Sequence, residues 1–338
     1  MSVRIGIIGA GIMGTDHARI FAERLSNVEI RVICDADTAR AKKVADQFGI
    51  IDVSTDPESV IQRSDIDAVV IASPDSTHAP LSLACIQHRK PVLCEKPLSQ
   101  SSNQCIDVMN AEIAAGRPFV QLGFMRRFDQ AYAEMKTALQ NGVLGRPLMM
   151  HNFHRNVETP SAEFTGAMAI TNSAPHEFDV VRYVLGVEYR SISVFQPKRS
   201  DAVVAPVMMV LETEDDQLVN IEINNNASYG YDVRAELIGE AGSLSLNAPL
   251  YSALDAKLTH RTEYAADWRA RFAEAYWRQN RAFLQFVTTG TFPEIASHSW
   301  DGYAAAMVGE AGVRALKDGS RTAIRLIEKP LFYSKLGV

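Results

Sequence analysis

A glycine-rich turn near the start of the chain constrains the fold more than any other feature of the sequence. In VRIGIIGAGIMGTDHARIFAERL, an apolar run meets a helical pattern at Gly9, Gly11 and Gly14, which form G-x-G-x-x-G. The first glycine of such a turn permits the tight bend, the second lets the backbone approach a pyrophosphate, and the third allows close helix–strand contact. The sequence therefore predicts a dinucleotide site, to which Ile12 and Met13 within the turn also belong.

An acidic residue at the end of the next predicted strand indicates which dinucleotide is bound. Asp35 follows the run VEIRVIC and lies 21 residues after Gly14, where a carboxylate would hydrogen-bond the adenosine ribose hydroxyls. The same carboxylate would repel a 2′-phosphate, and the next residues, Ala36 and Asp37, supply no arginine to accept one. NAD is therefore the predicted cofactor, in preference to NADP.

Strands and helices continue to alternate through the first third of the chain. A helix at 37–48 and a short acidic connection precede a strand at 67–73, a helix at 76–88, a strand at 91–97, a helix at 101–115 and a strand at 118–124. This order predicts a Rossmann-type, doubly wound parallel sheet in a dinucleotide-binding domain over residues 1–123. Because ligands bind at the carboxyl ends of such strands, Ser73 and Pro74 are predicted cofactor contacts, and His78 either contacts the cofactor or starts a helix.

Composition argues against several classes of partner. The chain has 338 residues, of which 47% are hydrophobic and 22% charged, with a net charge of −6. Without a Lys/Arg block there is no reason to expect nucleic acid or an anionic membrane surface, and no apolar run reaches the roughly 18 residues that span a bilayer. The four cysteines lack metal-binding spacing, so we expect reduced thiols in a cytoplasmic protein, and no metal.

From residue 124 the pattern changes, which predicts a second domain over residues 124–338. A helix at 129–142 ends in a glycine. Apolar and polar residues then alternate in RSISVFQ, APVMMVLETE, QLVNIEINNNAS and DVRAELIGE, and two helices follow around 265–288 and 300–317. We therefore expect an α+β domain with a large open, mostly antiparallel sheet.

Seven motifs in order along the chain resemble those of a known family. They are GAGIMGTDH, SPDSTH, CEKPLS, GFMRRFDQAY, HRN, PHEFDVVRYVLG and YGYDVRAELIGEAG. The sequence is similar to the Gfo/Idh/MocA oxidoreductases over essentially its whole length, and most of all to the NAD-dependent inositol 2-dehydrogenases. The resemblance implies oxidation of a secondary hydroxyl of a cyclic polyol, myo-inositol first, to the ketone by hydride transfer to NAD. It also implies a homo-oligomer in which sheets pack across subunits, with a tetramer favoured.

Lys96 in CEKPLS is assigned to catalysis by this resemblance, and Glu95 and Lys96 to the cofactor site. A partly buried ammonium at the carboxyl end of a parallel strand can hydrogen-bond the reacting oxygen and stabilise developing alkoxide charge. A lysine in an ordinary surface salt bridge is the alternative, which position and motif disfavour.

The resemblance also favours four side chains as polyol contacts, because a polyol needs several donors and acceptors around an otherwise desolvated ring. These are Arg126, His154, Tyr231 and Tyr276. Arg126 could instead belong to a charge cluster at a helix entry. Tyr276 could be a core residue at helical spacing.

The stretch ITNSAPHEFDVV carries the predicted base. Residues 175–185 are predicted to form a helix with Pro175 in its first turn, and the resemblance makes His176 the group that takes the hydroxyl proton. The family has an aspartate four residues before this histidine, where this chain has Asn172. Asn172 is either an N-cap or turn residue or, as we favour, a neutral substrate contact that acts with Lys96 and His176. In both cases His176 lacks a carboxylate that would raise its pKa, so we expect it to act as a base at lower pH.

Two further functions stay open at this point. The substrate could be another inositol isomer or an aldose sugar, since Asn172 weakens the case for myo-inositol but not for the reaction class. The chain could also be a non-catalytic NAD-binding sensor. The presence of both Lys96 and His176 counts against a sensor, because pure binding needs neither.

Overall fold

A computed structural model describes residues 2–198, 204–246 and 253–336 of the chain. Its strands are β1 (Val3–Ile8), β2 (Val28–Cys34), β3 (Asp52–Ser54), β4 (Ala68–Ile71), β5 (Val92–Cys94), β6 (Val120–Leu122), β7 (Pro147–Arg155), β8 (Tyr189–Phe195), β9 (Val207–Thr213), β10 (Leu218–Asn224), β11 (Asp232–Gly239), β12 (Ser243–Ser245), β13 (Ala253–Ala256), β14 (Thr259–Thr262) and β15 (Thr322–Ala323). Its α-helices are α1 (Ile12–Arg19), α2 (Thr38–Phe48), α3 (Pro57–Gln62), α4 (His78–Gln87), α5 (Ser102–Ala115), α6 (Gln130–Gln140), α7 (Gly166–Met168), α8 (Pro175–Leu185), α9 (Trp268–Arg271), α10 (Ala273–Thr289), α11 (Ser299–Asp318) and α12 (Leu331–Ser334). Short 3₁₀ turns lie at Asp75–Thr77 and Met125–Phe128, and π-helical turns at Ile20–Arg24 and Ala169–Ser173.

The chain divides by its internal contacts into two compact units. Unit 1 comprises Met1–Phe128, Glu274–Ala306 and Leu326–Val338, and unit 2 comprises Asp129–Ala273 and Met307–Arg325. Two late segments of the chain, Glu274–Ala306 and Leu326–Val338, therefore belong to the same unit as the first 128 residues. The predicted division at residue 123 concerns cofactor and substrate binding, and it stays a prediction.

Unit 1 is built on a six-stranded sheet in the order β3-β2-β1-β4-β5-β6. All of its strand pairs are parallel, and every residue of β4 is fully buried because helices cover such a sheet on both faces. This confirms the predicted doubly wound fold. The expected acidic connection after α2 instead contains β3 and α3, which were missed because three and six residues are too few to set up a periodic pattern.

Unit 2 contains a seven-stranded sheet in the order β12-β11-β7-β10-β9-β8-β15. Its pairs are antiparallel except β7 with β10, which confirms the predicted mostly antiparallel sheet. Strand β7 was not predicted. Its buried positions alternate as a strand requires, but two of them are the polar Asn152 and His154, so the sequence HNFHR hides the apolar alternation.

Helix boundaries follow the local signals in most places. Helix α8 runs from Pro175 to Leu185 as predicted, and Gly186 ends it in the left-handed region with φ 71°. The single helix expected around 265–288 is two, α9 and α10, because Phe272 between them leaves the helical conformation at φ −113°. The four cysteines are buried thiols that form no disulfide. Within the described ranges, no helix has the length and apolar character that crossing a bilayer requires.

Candidate active site

The glycine turn after β1 has the shape that a bound pyrophosphate needs. Gly9 has φ 104°, and a Cβ on it would lie 2.3 Å from the carbonyl oxygen of Ala72. A Cβ on Gly14 would lie 1.8 Å from the Gly9 carbonyl oxygen, so both positions require glycine. A Cβ on Gly11 would meet nothing within 4 Å, and in the described part of the chain no side chain caps helix α1 at this residue. The residues thus fit a phosphate group, held by the backbone N–H groups at the start of α1 beside Ile12 and Met13.

Asp35 is anchored directly behind this turn. Its Oδ2 accepts a hydrogen bond from the Ala10 N–H at 2.8 Å, and its Oδ1 accepts one from the Asp37 N–H at 2.9 Å. Arg40 Nη1 lies 3.6 Å from Asp35 Oδ2 and is half exposed. Prediction from the sequence considered only the two residues after Asp35. Arg40 is brought close because Asp37 caps α2 and Arg40 stands in the first turn of that helix.

A histidine ties together two loops at the carboxyl edge of the parallel sheet. His78 Nδ1 lies 2.7 Å from the Pro97 carbonyl oxygen, and Nε2 lies 2.8 Å from that of Ser73. Burial lowers the pKa of His78, but Cys94 and the two carbonyl oxygens together outweigh it and raise the pKa to about 10. His78 does stand first in α4, and its two ring nitrogens hold the loops that carry Ser73, Pro74 and the residues after β5. A direct contact with the cofactor stays a prediction.

Glu95 and Lys96 follow β5 at the same edge of the sheet. Glu95 is buried and Lys96 half-buried. Glu95 Oε2 accepts a hydrogen bond from the Lys96 N–H at 3.2 Å, and Oε1 lies 3.0 Å from His17 Nε2. The turn continues through a cis peptide bond to Pro97. The glutamate before the predicted catalytic lysine is thus bonded to that lysine's backbone.

Two of the predicted polyol contacts belong to unit 1. Arg126 is buried in the turn Met125–Phe128, whereas the adjacent Arg127 forms an ion pair with Asp301 at 2.9 Å. Tyr276 on α10 is buried, and its ring stands edge-on to that of His17 with 6.2 Å between centroids. Burial of Tyr276 agrees with the core alternative, and the substrate roles of Arg126 and Tyr276 stay predictions.

In unit 2, the predicted base lies at the start of helix α8. His176 is buried in its first turn, after the π-helical turn Ala169–Ser173, which contains Asn172. Asn172 Oδ1 accepts a hydrogen bond from Thr171 Oγ1 at 2.8 Å. The N-cap of α8 is Ala174, so the alternative that Asn172 caps this helix is wrong. Asn172 lies inside the π-helical turn, and Ser173 and Ala174 separate it from the start of α8. Such turns frequently occur at functional sites.

A buried histidine–glutamate pair lies beside this segment. Glu177, next to His176 in the chain, has Oε2 3.1 Å from His154 Nδ1 on β7. The pairing of β11 with β7 sets Tyr231 against His154, with the rings edge-on and 6.0 Å between centroids. The structure thus brings together two predicted polyol contacts with a carboxylate that was not predicted.

Amide side chains extend this cluster to the π-helical turn. Asn156 Nδ2 lies 3.4 Å from His154 Nε2 and also donates to Asn225 Oδ1, and Asn225 Nδ2 lies 3.5 Å from Ser173 Oγ. Sequence inspection missed these residues, although the polar run NNNAS directly after a buried strand was a usable signal. The cluster supplies neutral donors and acceptors, as a polyol site needs. In the residues that the structure covers, no three His, Cys, Asp or Glu side chains group as metal ligands would.

Comparisons with known proteins agree from sequence and from structure. Residues 3–124 match the oxidoreductase family with an NAD-binding Rossmann fold, and residues 132–245 match the GFO/IDH/MocA C-terminal domain. The chain is 42% identical to inositol 2-dehydrogenase 2 of Saccharopolyspora erythraea, over 99% of each chain. It is 36% identical to the inositol 2-dehydrogenase of Burkholderia ambifaria, over 98% of this chain and 99% of that one.

A solved structure is similar over the same extent. The crystal structure of myo-inositol dehydrogenase from Lactobacillus casei in complex with NAD(H) and myo-inositol has a TM-score of 0.93 and 31% sequence identity to this chain. The similarity covers 98% of this chain and 100% of that one. From its two matched domains and its near full-length relatives, the chain belongs to the Gfo/Idh/MocA family of NAD-binding oxidoreductases.

Proposed function

We propose that this protein oxidises a secondary hydroxyl group of a cyclic polyol to the ketone, with NAD as hydride acceptor and myo-inositol as the first-choice substrate. The observation that carries the proposal is the similarity, at a TM-score of 0.93 over 98% of the chain, to a myo-inositol dehydrogenase with NAD(H) and myo-inositol bound. Retention of both Lys96 and His176 supports catalysis over NAD sensing.

The proposed roles assign one step of proton or charge transfer to each side chain. The Lys96 ammonium donates a hydrogen bond to the reacting oxygen and stabilises negative charge as the C–O bond gains double-bond character. His176 takes the hydroxyl proton as general base, while the hydrogen on carbon leaves with its electron pair. Bound NAD supplies the acceptor for that hydride. The products are the ketone, NADH and a proton on His176.

Cofactor binding is proposed to use the glycine turn and the carboxyl edge of the parallel sheet. The contacts are Gly9, Gly11, Ile12, Met13, Gly14, Asp35, Ser73, Pro74, His78, Glu95 and Lys96. Anchoring of Asp35 by two backbone N–H groups supports its role, because a fixed carboxylate is preorganised to accept from ribose hydroxyls.

Substrate binding is proposed to use Arg126, His154, Tyr231 and Tyr276 together with Lys96, Asn172 and His176. Asn172 would hold a hydroxyl next to the reacting one, since an amide can both donate and accept where the family's aspartate only accepts. Asn172 does not cap α8, and the alternative that stays open is a turn residue without substrate contact.

We also propose that the protein is cytoplasmic and forms a homo-oligomer, with a tetramer favoured. The four buried cysteine thiols, which form no disulfide, support a reducing compartment. The open sheet of unit 2 supports packing between subunits, because the apolar face of such a sheet needs cover. Size-exclusion chromatography with light scattering would measure the number of subunits, and a monomer would contradict the oligomer.

The function is tested by following NADH absorbance after mixing the protein with NAD and a panel of inositol isomers and aldoses. We expect the highest kcat/KM with myo-inositol, and loss of turnover in His176→Ala on the same panel. Turnover only with another isomer or a sugar would replace the substrate and keep the reaction. Binding of NAD without turnover of any compound would contradict the proposal and favour the sensor.

A further inference from the structure

A fully buried histidine in unit 1 has no role in the dinucleotide binding proposed above. His17 lies on α1, the helix that follows the glycine turn, and has 0% of its surface exposed. Both of its ring nitrogens have polar neighbours: Nε2 lies 3.0 Å from Glu95 Oε1, and Nδ1 lies 3.0 Å from Asn280 Nδ2. The three side chains come from α1, the loop after β5, and α10. Such a buried polar arrangement is costly unless its hydrogen bonds are made.

The amide of Asn280 sets the position of the proton on the ring. An amide nitrogen only donates, so His17 Nδ1 accepts from Asn280, and the single proton of the neutral imidazole lies on Nε2. The Nε2–H then donates to the Glu95 carboxylate. With the amide reversed, its oxygen would face Nδ1, and only a doubly protonated ring could bond both neighbours. Asn280 therefore controls whether Glu95 receives a hydrogen bond from a neutral histidine.

Glu95 links His17 to the loop that carries Lys96 through hydrogen bonds to its two carboxylate oxygens. Its second oxygen accepts from the Lys96 N–H at 3.2 Å, so each carboxylate oxygen has a donor. A Cβ on Gly123 would lie 3.0 Å from Glu95 Cδ and Oε2, so the carboxylate packs closely against that backbone. Rotation of the carboxylate would break a bond on either side. The orientation of Glu95, and with it the Lys96 backbone, depends on His17.

Helix α10 holds Asn280 against α1 through several contacts. Trp277 Nε1 donates to the carbonyl oxygen of Arg24 at 3.1 Å, and Tyr276, one turn before Asn280, stands edge-on to His17. From β6, Gln121 Nε2 donates to the carbonyl oxygen of Gln279 at 3.1 Å. Asn280 is therefore placed by packing along α10 and not by its own hydrogen bond alone.

We propose that His17 and Asn280 are positioning residues for Lys96, which act through Glu95 by a chain of hydrogen bonds from the Asn280 amide to the Lys96 backbone. The proposal rests on the proposed function, because it gives Lys96 a catalytic role. It adds that the geometry of the lysine, and hence kcat, depends on the proton position of a histidine buried behind it.

The kinetic test compares His17→Leu, His17→Gln and Asn280→Ala with the wild-type protein. We expect kcat with myo-inositol to fall about tenfold to a hundredfold in His17→Leu, because small displacements of a reacting group have effects of that size. KM for NAD should change less than kcat, since the glycine turn and Asp35 are untouched. In His17→Gln, whose amide can still donate to Glu95, part of kcat should return.

A comparison of two variants separates proton positioning from simple packing. In Asn280→Asp the new carboxylate only accepts, so a neutral ring must place its proton on Nδ1 and present a lone pair to Glu95. In Asn280→Ala the ring can keep its proton on Nε2 and still donate to Glu95. We therefore expect kcat to fall more in Asn280→Asp, which keeps the shape of the asparagine side chain, than in Asn280→Ala, which removes it. An equal or smaller loss of kcat in Asn280→Asp would overturn the role of the proton position.

A second readout needs neither cofactor nor substrate. The rate of acetylation of Lys96 by acetic anhydride, relative to exposed Lys42, can be measured by mass spectrometry in the protein without ligand. We expect His17→Leu to change this ratio by about threefold or more, because a displaced Lys96 loop changes the access of the reagent to the amine. An unchanged ratio together with unchanged kcat would overturn the proposal. If the wild type oxidises no compound of the panel, the proposed function fails, and the acetylation ratio alone decides whether His17 positions Lys96.

The matched control is a buried carboxylate of unit 1 without a bond to the Lys96 loop. Glu112 accepts from the Phe119 and Val120 N–H groups and from the hydroxyls of Ser299 and Tyr333. Glu112→Gln should lower the free energy of unfolding and leave kcat and the acetylation ratio unchanged. If it does not fold, Tyr333→Phe, which removes one of these bonds, takes its place. A loss of kcat in the control equal to that in His17→Leu would reduce the effect of His17 to general destabilisation and overturn the proposal.

Discussion

Each of the two units holds a buried histidine–glutamate pair, and each glutamate is the chain neighbour of a proposed catalytic residue. In unit 1 the pair is His17–Glu95, next to Lys96, and in unit 2 it is His154–Glu177, next to His176. The nitrogen–oxygen distances are 3.0 and 3.1 Å. In each pair the second ring nitrogen of the histidine faces an asparagine amide.

The two pairs differ in the groups that the glutamate and the histidine contact outside the pair. Glu95 also accepts a hydrogen bond from the Lys96 N–H, and its partner His17 on α1 is fully buried. In unit 2 it is the histidine that is a predicted polyol contact, beside Tyr231. The same pair of groups thus holds the loop of the proposed catalytic lysine in unit 1, whereas in unit 2 it orients a ring that we propose to bind substrate. Changes to the first should alter kcat, and changes to the second should alter KM.

The largest effect is expected at the two residues next to the glutamates. Lys96→Ala and His176→Ala should each lower kcat by about a hundredfold or more, the usual scale for a positioned acid–base group. Binding of NADH, followed by its fluorescence, should survive in both. Near wild-type turnover in either variant would mean that the residue has no catalytic role. The glutamate next to it would then not neighbour a catalytic residue, and the comparison between the two units would fail.

Replacing the two glutamates should separate kcat from KM. Glu177→Gln weakens the bond that fixes His154, so KM for myo-inositol should rise about tenfold, since a hydrogen bond to a charged group contributes roughly 1.5–3 kcal/mol. Its kcat should fall by less than that of Glu95→Gln, which disturbs the Lys96 loop. Steady-state kinetics on the two variants measures both constants. If both variants changed kcat and KM in the same proportions, the two pairs would have the same role.

Asn172→Asp tests whether the asparagine one turn before His176, where the family resemblance implies an aspartate, sets the substrate range and the pH dependence of unit 2. A new carboxylate one turn before His176 should stabilise the imidazolium and move the acidic limb of the kcat/KM profile up by about one pH unit. The substrate panel should also shift towards the polyols used by relatives with the aspartate. A turn residue without substrate contact predicts neither change, so identical profiles and rankings in the two proteins would assign Asn172 that role.

The smallest effect on turnover is expected at His78, whose ring nitrogens face the carbonyl oxygens of Pro97 and Ser73. Its pKa is raised from 6.5 to about 10 in the folded protein, so its stabilisation is complete below pH 6.5 and is lost as pH rises towards 10. The difference in free energy of unfolding between wild type and His78→Gln should therefore narrow across that range in urea titrations. A constant difference would mean that His78 does not gain a proton on folding.

The sequence was sufficient wherever a few neighbouring residues determine the structure. The glycine turn, the alternation of β4, β5 and β6 with α4 and α5, and the bounds of α8 with Pro175 and Gly186 are set by contacts within a few residues. The periodic strands of unit 2 could be predicted for the same reason, with β7 as the exception because its inward side chains are polar.

Arrangements between distant parts of the chain could not be predicted in this way. His17 and Asn280 are 263 residues apart, and no local pattern pairs one histidine with one asparagine over that distance. Glu177 lies in the motif PHEFD, but its contact with His154 depends on the packing of α8 against β7. Most of the residues in the candidate site were named from motifs, whereas the groups that orient them are visible only in the fold.

The position of Arg40 beside Asp35 has an evolutionary consequence. A dinucleotide-binding protein usually needs two changes to accept a 2′-phosphate, the loss of an acid and the gain of a base. Here the base already stands 3.6 Å from the acid, which it partly neutralises. Loss of the Asp35 carboxylate alone would leave a guanidinium at the place where the phosphate arrives. We therefore expect one substitution, Asp35→Ser, to raise kcat/KM with NADP, because Arg40 already lies beside the place of the 2′-phosphate.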